Sequence, residues 1–181
     1  MSKKKVVVAL GHKALGATLP QQQTAVKNAA KAIADLVEAD CQVVISHSNA
    51  PQVGMIHTAM NEFGKQHPDY TFAPMSVCSA MSQGYIGAQL SCALRNEFHR
   101  QDIMREVANV PTHVVVDADD PAFKDYEKPI GAFMTEAEAR AFAKATGYQV
   151  REDSGRGWRR VVPSPVPQDI VELETVRDLM E

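Results

Sequence analysis

Two short segments hold the residues best suited to chemistry. The first is Gly11-His12-Lys13, closed by Gly16; the second is His47-Ser48-Asn49-Ala50-Pro51-Gln52. Each follows an apolar, β-branched run and precedes a helical pattern, so each reads as a turn from strand to helix. In an open α/β sheet, ligands bind outside the carboxyl ends of the strands. Free N–H groups at a helix start favour an anion there. Glycine and asparagine also make turns for purely structural reasons. Two such turns on adjacent strands nevertheless point to one small-anion site, to which His12 and Lys13 add positive charge.

Other chemistries have weaker signals. The histidines (His12, His47, His57, His67, His99, His113) show no H-E-x-x-H or paired-ligand spacing, so no metal site is expected. Ser48 has no G-x-S-x-G context for a nucleophile. Cys41, Cys78 and Cys92 are odd in number and lack C-x-x-C spacing; they read as reduced, buried thiols of a cytoplasmic protein. Arg156, Arg159 and Arg160 suit either a phosphate or ion pairs with Glu152 or Asp153.

The elements that position the two turns are legible. Val6–Leu10 reads as a buried parallel strand covered on both faces. Thr18 and Gln21 stand at capping-box spacing, and Val26, Ala30, Ile33 and Val37 recur every three or four residues, which predicts a helix over 21–38. Gln42–Ser46 is a second strand, completing a βαβ unit. Helices are expected over 52–64 and 76–100, joined by a surface connection containing Pro68 and Pro74. Ala80, Gly84, Gly87 and Ala88 would let the second of these helices approach a neighbour closely. Val114–Val116 reads as a third strand, with Pro111 just before it. Thr135 and Glu138 begin a helix that Gly147 ends, and a short strand follows over 148–152. Pro163, Pro165 and Pro167 make a stiff extended exit to a last helix over 170–180. The expected domains are an α/β core (1–117 and 163–181) and a protruding, β-rich lobe (118–162).

Composition bounds the function. The chain has 181 residues, 45% hydrophobic and 23% charged, with a net charge of −3, as an ordinary globular domain has. No basic excess is present to hold a nucleic acid backbone. No apolar run approaches the roughly 20 residues of a membrane helix. Lys3-Lys4-Lys5 and the short run after them do not make a signal peptide.

Longer motifs carry a family resemblance. His47-Ser-Asn-Ala-Pro-Gln-Val-Gly54 resembles the HGNGPQVG segment of carbamate kinases, and Ser82-Gln-Gly-Tyr-Ile-Gly87 resembles their SQGYIG helix. Val116–Phe123 and Lys128-Pro129-Ile130-Gly131 resemble the start of their protruding subdomain. Glu152–Pro165 resembles EDAGRGWRRVVPSP nearly residue for residue. The resemblance implies an amino acid kinase fold: a three-layer αβα domain with a mainly parallel sheet, here incomplete, plus the lobe. It also implies phosphoryl transfer between carbamoyl phosphate and ADP, with ATP/ADP and Mg as cofactors, a small-molecule substrate and a homodimer. Gly11, Asn49 and Lys128 match substrate-contacting positions, with Lys128 as the catalytic cation. A fixed cation stabilises the charge spread over a phosphoryl group in flight.

The departures from that pattern fall in the same loops. The family's GGN is Gly11-His12-Lys13 here, and two glycines of the second loop are Ser48 and Ala50. Lys13, Ser48 and Ala50 therefore join Gly11 and Asn49 as expected substrate-facing positions. Where glycine holds a positive φ, a Cβ costs on the order of 1 kcal/mol and fills substrate space. Pro111 and His113 replace the valine and glutamine of the usual VVTQV. Family members also continue into a nucleotide half that these residues do not contain. The expectation is a chain impaired on its own. The alternative is a non-catalytic remnant acting as a dimerisation or small-anion-binding module.

Overall fold

The computed structural model describes residues 3–67, 69–70 and 73–181, so Pro68 of the expected surface connection lies outside the described residues. The described residues form two compact units. One runs to Pro111 and includes Met180; the other is Thr112–Leu179 with Glu181.

The first unit contains β1 (Lys5–Leu10), α1 (His12–Leu15), α2 (Leu19–Glu38), β2 (Gln42–His47), α3 (Ala50–Gln66) and α4 (Met75–Arg100). β1 and β2 pair in parallel, in register from Lys5↔Gln42 to Leu10↔His47. The expected capping box starts α2: Thr18 Oγ1 accepts from the Gln21 N–H, and the Gln21 side chain accepts from the Thr18 N–H. The helix buries Val26, Ala30, Ile33 and Ala34 on one stripe. α4 buries Ile86, Leu90, Leu94 and Phe98. These residues, with Leu10, Leu15 and the inward-facing Val8, Val43 and Ile45, make the core. A fully buried Leu, Ile or Phe side chain contributes roughly 1.5–3 kcal/mol. Most of this unit's stability therefore lies between the two long helices and one sheet face.

That sheet face is the only one the core covers, contrary to the expectation for β1. Burial alternates along the strand, with Val8 in the core and Val7 72% exposed. A strand covered on one side shows period-two burial, and the continuous apolar run conceals it. The small residues of α4 also differ from expectation. At Gly87 a Cβ would meet the Asn109 side chain at 2.3 Å, so the close neighbour there is an asparagine. Ala80, Gly84 and Ala88 are exposed.

In the second unit, β3 (Val114–Val116) pairs antiparallel with β7 (Pro167–Ile170). β4 (Lys128–Met134), β5 (Val150–Glu152) and β6 (Trp158–Val162) form an antiparallel sheet in the order β4-β6-β5. Between β4 and β5 lies α5 (Glu136–Thr146), with the Thr135/Glu138 capping box at its start and Gly147 at φ +74 at its end. The proline-rich exit ends in β7, so the last helix, α6 (Leu173–Asp178), is shorter than the expected 170–180. Pro167 stands at the first position of its strand, where a missing N–H is tolerated. Two of the three arginines noted above form ion pairs. Arg156 and Arg159 reach Asp153 at 2.8 and 3.2 Å, and both guanidinium groups lie over the Phe133 ring. Arg160 stacks on Tyr148 at 3.6 Å.

Candidate functional site

Because Leu10 pairs with His47, the two turns leave the sheet side by side. The Ser48 N–H donates to the Leu10 carbonyl at 2.9 Å, extending the ladder one step past β2. Gly11 and Ser48 thus start from neighbouring points at the carboxyl ends of paired parallel strands.

The first turn is compact. The Ala14 N–H donates to the Gly11 carbonyl at 2.9 Å, and the single turn of α1 exposes His12 and Lys13 while burying Leu15. Gly16 then takes φ +72, ψ 168, a region only glycine occupies readily. A Cβ there would lie 2.7 Å from Gln21 Cβ. In the second turn, Asn49 precedes α3 without capping it with its side chain. Its Nδ2 donates instead to Ser82 Oγ at 2.9 Å and Ser79 Oγ at 3.2 Å, both on α4. His47 Nδ1 lies 3.2 Å from the Ser48 carbonyl oxygen, which accepts from it when Nδ1 carries the proton. Ser48 Oγ and Gln52 Oε1 are buried without a hydrogen-bond partner.

The expected backbone strain is not there. Positive φ outside glycine occurs, among the described residues, at Asp40, Asp102 and Ser154; His12, Lys13, Ser48 and Ala50 are not among them. Gly11 itself has φ −70, which any residue adopts. Side chains at these positions occupy volume but impose no conformational cost.

Beside the turns lies a polar cluster; Gln52 and Tyr85 of it stand in the motifs quoted above, whereas Gln22 and Gln89 do not. Gln22 and Gln52 are 1% and 3% exposed. Gln52 Nε2 donates to the Gly16 carbonyl at 3.1 Å and to Gln22 Oε1 at 3.0 Å. The Tyr85 hydroxyl donates to the same Gln22 oxygen, and Gln22 Nε2 donates to Gln89 Oε1 at 2.8 Å. Burial pushes the Tyr85 hydroxyl pKa up, partly offset by its bond to Gln22. One signal was available in the sequence: Gln22 lies four residues before Val26 on the buried stripe of α2, and a polar group there requires a partner.

An open depression of about 610 Å³ lies against the first turn and the outer face of α2. Lys13, Gly16, Gln21, Thr24 and Asn28 line it; Ser48, Asn49 and Ala50 do not. The first unit thus brings Gly11, Lys13, Ser48, Asn49 and Ala50 onto two adjacent turns. Lys128 belongs to the second unit, where it is exposed and opens β4 opposite Val162. Among the described residues no group of three or more His, Cys, Asp or Glu could hold a metal ion. No described helix is long and apolar enough to cross a membrane.

No protein-family model matches the chain. The carbamate kinase-like protein YqeA of Escherichia coli (strain K12) is 50% identical over 178 residues, which cover 98% of this chain and 57% of that protein. A carbamate kinase of Staphylococcus epidermidis is 47% identical over 177 residues, again 98% of this chain and 57% of the relative. The structure of Giardia lamblia carbamate kinase bound to citric acid superposes with a TM-score of 0.82 at 39% identity, over 99% of this chain and 59% of that one. The same enzyme bound to AMP-PNP gives 0.79 at 39% identity, over 99% and 58%. The chain spans a little over half the length of these relatives.

Proposed function

Since the chain is homologous to carbamate kinases and corresponds to their amino-terminal part, we propose that it carries the substrate side of phosphoryl transfer between carbamoyl phosphate and ADP. In that reaction an ADP phosphate oxygen takes the phosphoryl group, the bridging O–P bond breaks and carbamate leaves; the reverse makes carbamoyl phosphate from ATP and carbamate. The observation that supports this reading most is the register of β1 and β2, which sets two strand-to-helix turns side by side.

Gly11, Lys13, Ser48, Asn49 and Ala50 form the substrate-facing surface in this reading. Lys13 supplies a cation beside the Gly11 turn. Ser48 Oγ, buried without a partner, is an acceptor of the kind that a carbamoyl N–H group needs. Lys128 is the cation that stabilises charge on the transferring group. The described residues offer no acidic cluster for Mg²⁺, so no step is assigned to the metal on this chain. Nucleotide and Mg²⁺ belong, in this reading, to the part of the relatives that lies beyond the matched residues. The protein is cytoplasmic and a homodimer, and 118–162 is its protruding lobe. On its own this chain is catalytically impaired.

A coupled assay tests this: carbamoyl phosphate plus ADP should give no ATP above background with this chain alone. Calorimetry should still detect carbamoyl phosphate binding, weakened by Lys13→Ala. Clear turnover would refute the impairment, and an absence of binding would refute the substrate site. One observation favours a second reading, a non-catalytic small-anion module. The Asn49 amide is turned to Ser79 and Ser82, which leaves Lys13 as the charged group beside the turns. Under that reading, sulfate binds as well as carbamoyl phosphate.

A further inference from the structure

Gln22 and Gln52 are nearly inaccessible, and packing alone would be served by Leu or Met at both positions. Leaving a buried carboxamide unpaired is costly; both Nε2 groups and Gln22 Oε1 have partners here, and Gln52 Oε1 has none. Here the bonds converge on one helix. The first turn ends at Gly16, whose carbonyl accepts from Gln52 on α3. Gln52 also donates to Gln22 on α2, and Tyr85 on α4 donates to the same Gln22 oxygen. The second turn carries Asn49, which donates to Ser82 on α4. Ser82, Tyr85 and Gln89 fall at spacings of three and four, on one face of that helix. Both turns are therefore tied to a single rigid element by separate polar links.

We propose that Gln52 and Tyr85 are positioning residues, which fix the first turn to α4 through Gln22 and so hold it at a set separation from the second turn. Neither residue need touch the substrate. The idea rests on the substrate-site reading above for its purpose, but the mechanical claim stands apart from it. Tyr85→Phe removes one hydroxyl, and Gln52→Met replaces the carboxamide with a chain of similar volume.

The test is amide hydrogen exchange on the full chain, paired with calorimetry using carbamoyl phosphate as the probe. In both variants, exchange at Ala14 and Thr18 should accelerate by about 3- to 10-fold, the size expected for one hydrogen bond, while β1, β2 and the Leu90–Phe98 stretch of α4 stay as in the wild type. Carbamoyl phosphate affinity should fall by a similar factor. Unchanged exchange in the turn would overturn the proposal. So would uniform acceleration across the unit with unaltered affinity, which is the mark of a merely structural role. If the wild type fails to bind the probe yet the turn alone responds, the positioning stands and the substrate reading falls.

Discussion

Gln52 Nε2 donates to the Gly16 carbonyl oxygen at 3.1 Å, so the end of the first turn hangs on the helix that begins after the second. Gly16 adopts φ +72 there, and Gly16→Ala would set a Cβ 2.7 Å from Gln21 Cβ. Backbone strain of this kind costs on the order of 1–3 kcal/mol before the clash is counted. Urea unfolding should show a lower midpoint with an unchanged slope. A midpoint equal to the wild type would mean that the turn relaxes without penalty.

The core contrast is between neighbouring faces. Leu94 is 2% exposed between α2 and α4, and Leu94→Ala should cost about 2–5 kcal/mol through lost contacts and the cavity left behind. Val7 is 72% exposed, and Val7→Thr should change stability by less than about 0.5 kcal/mol. Equal effects in chemical denaturation would contradict the one-sided cover of β1.

Acid should weaken the first unit through Glu97. Arg100 bonds its carboxylate at 2.5 and 3.1 Å and Gln101 bonds it at 2.7 Å, which holds its pKa down at about 2. Unfolding returns the group to its ordinary value of 4.5, so the unfolded chain takes up the proton first as pH falls. The stabilisation is complete above that value and is lost on descending from about 4.5 towards about 2. Asp153, lowered chiefly by Arg156, acts with the same sign in the second unit. Melting temperature should drop across this window, and Glu97→Gln should flatten part of the drop.

At the start of α5, the Thr135 N–H donates to Glu138 Oε2 at 2.7 Å, and the Glu138 N–H donates to Thr135 Oγ1 at 3.3 Å. Thr135→Ala removes one half of this reciprocal cap and should cost about 0.5–2 kcal/mol. Faster exchange of the first-turn amides of α5, with β6 unaffected, is the expected signature. Equal protection in wild type and variant would count against the cap.

The local signals proved readable because they depend on nearest neighbours. The β-branched run before Gly11, the stripe Val26–Ala30–Ile33, both capping boxes and Gly147 each need only a few adjacent residues to act. The long-range features were not readable in the same way. Gln22 meets Gln89 across 67 positions and Gln52 across 30, and no local pattern pairs them. The pairing of Val115 with Asp169 was hidden behind a proline run that reads as extended but unpartnered. Gly16 apart, the turns have ordinary φ values, those of His12, Lys13, Ser48 and Ala50 included, because loop geometry follows its anchors as well as its residue types. Lys128 rests on a motif alone, and its surroundings on β4 do not single it out.

Among the described residues, β1 and β2 pair only with each other, so each keeps one margin without a strand partner, and Val7 is exposed. Such margins are templates for further strands. In concentrated or ageing preparations, fibrillar growth should therefore begin at this strand pair. A lysine in place of Val7 should lengthen the lag before dye-positive fibres form, with no effect on the hydrophobic layer behind it.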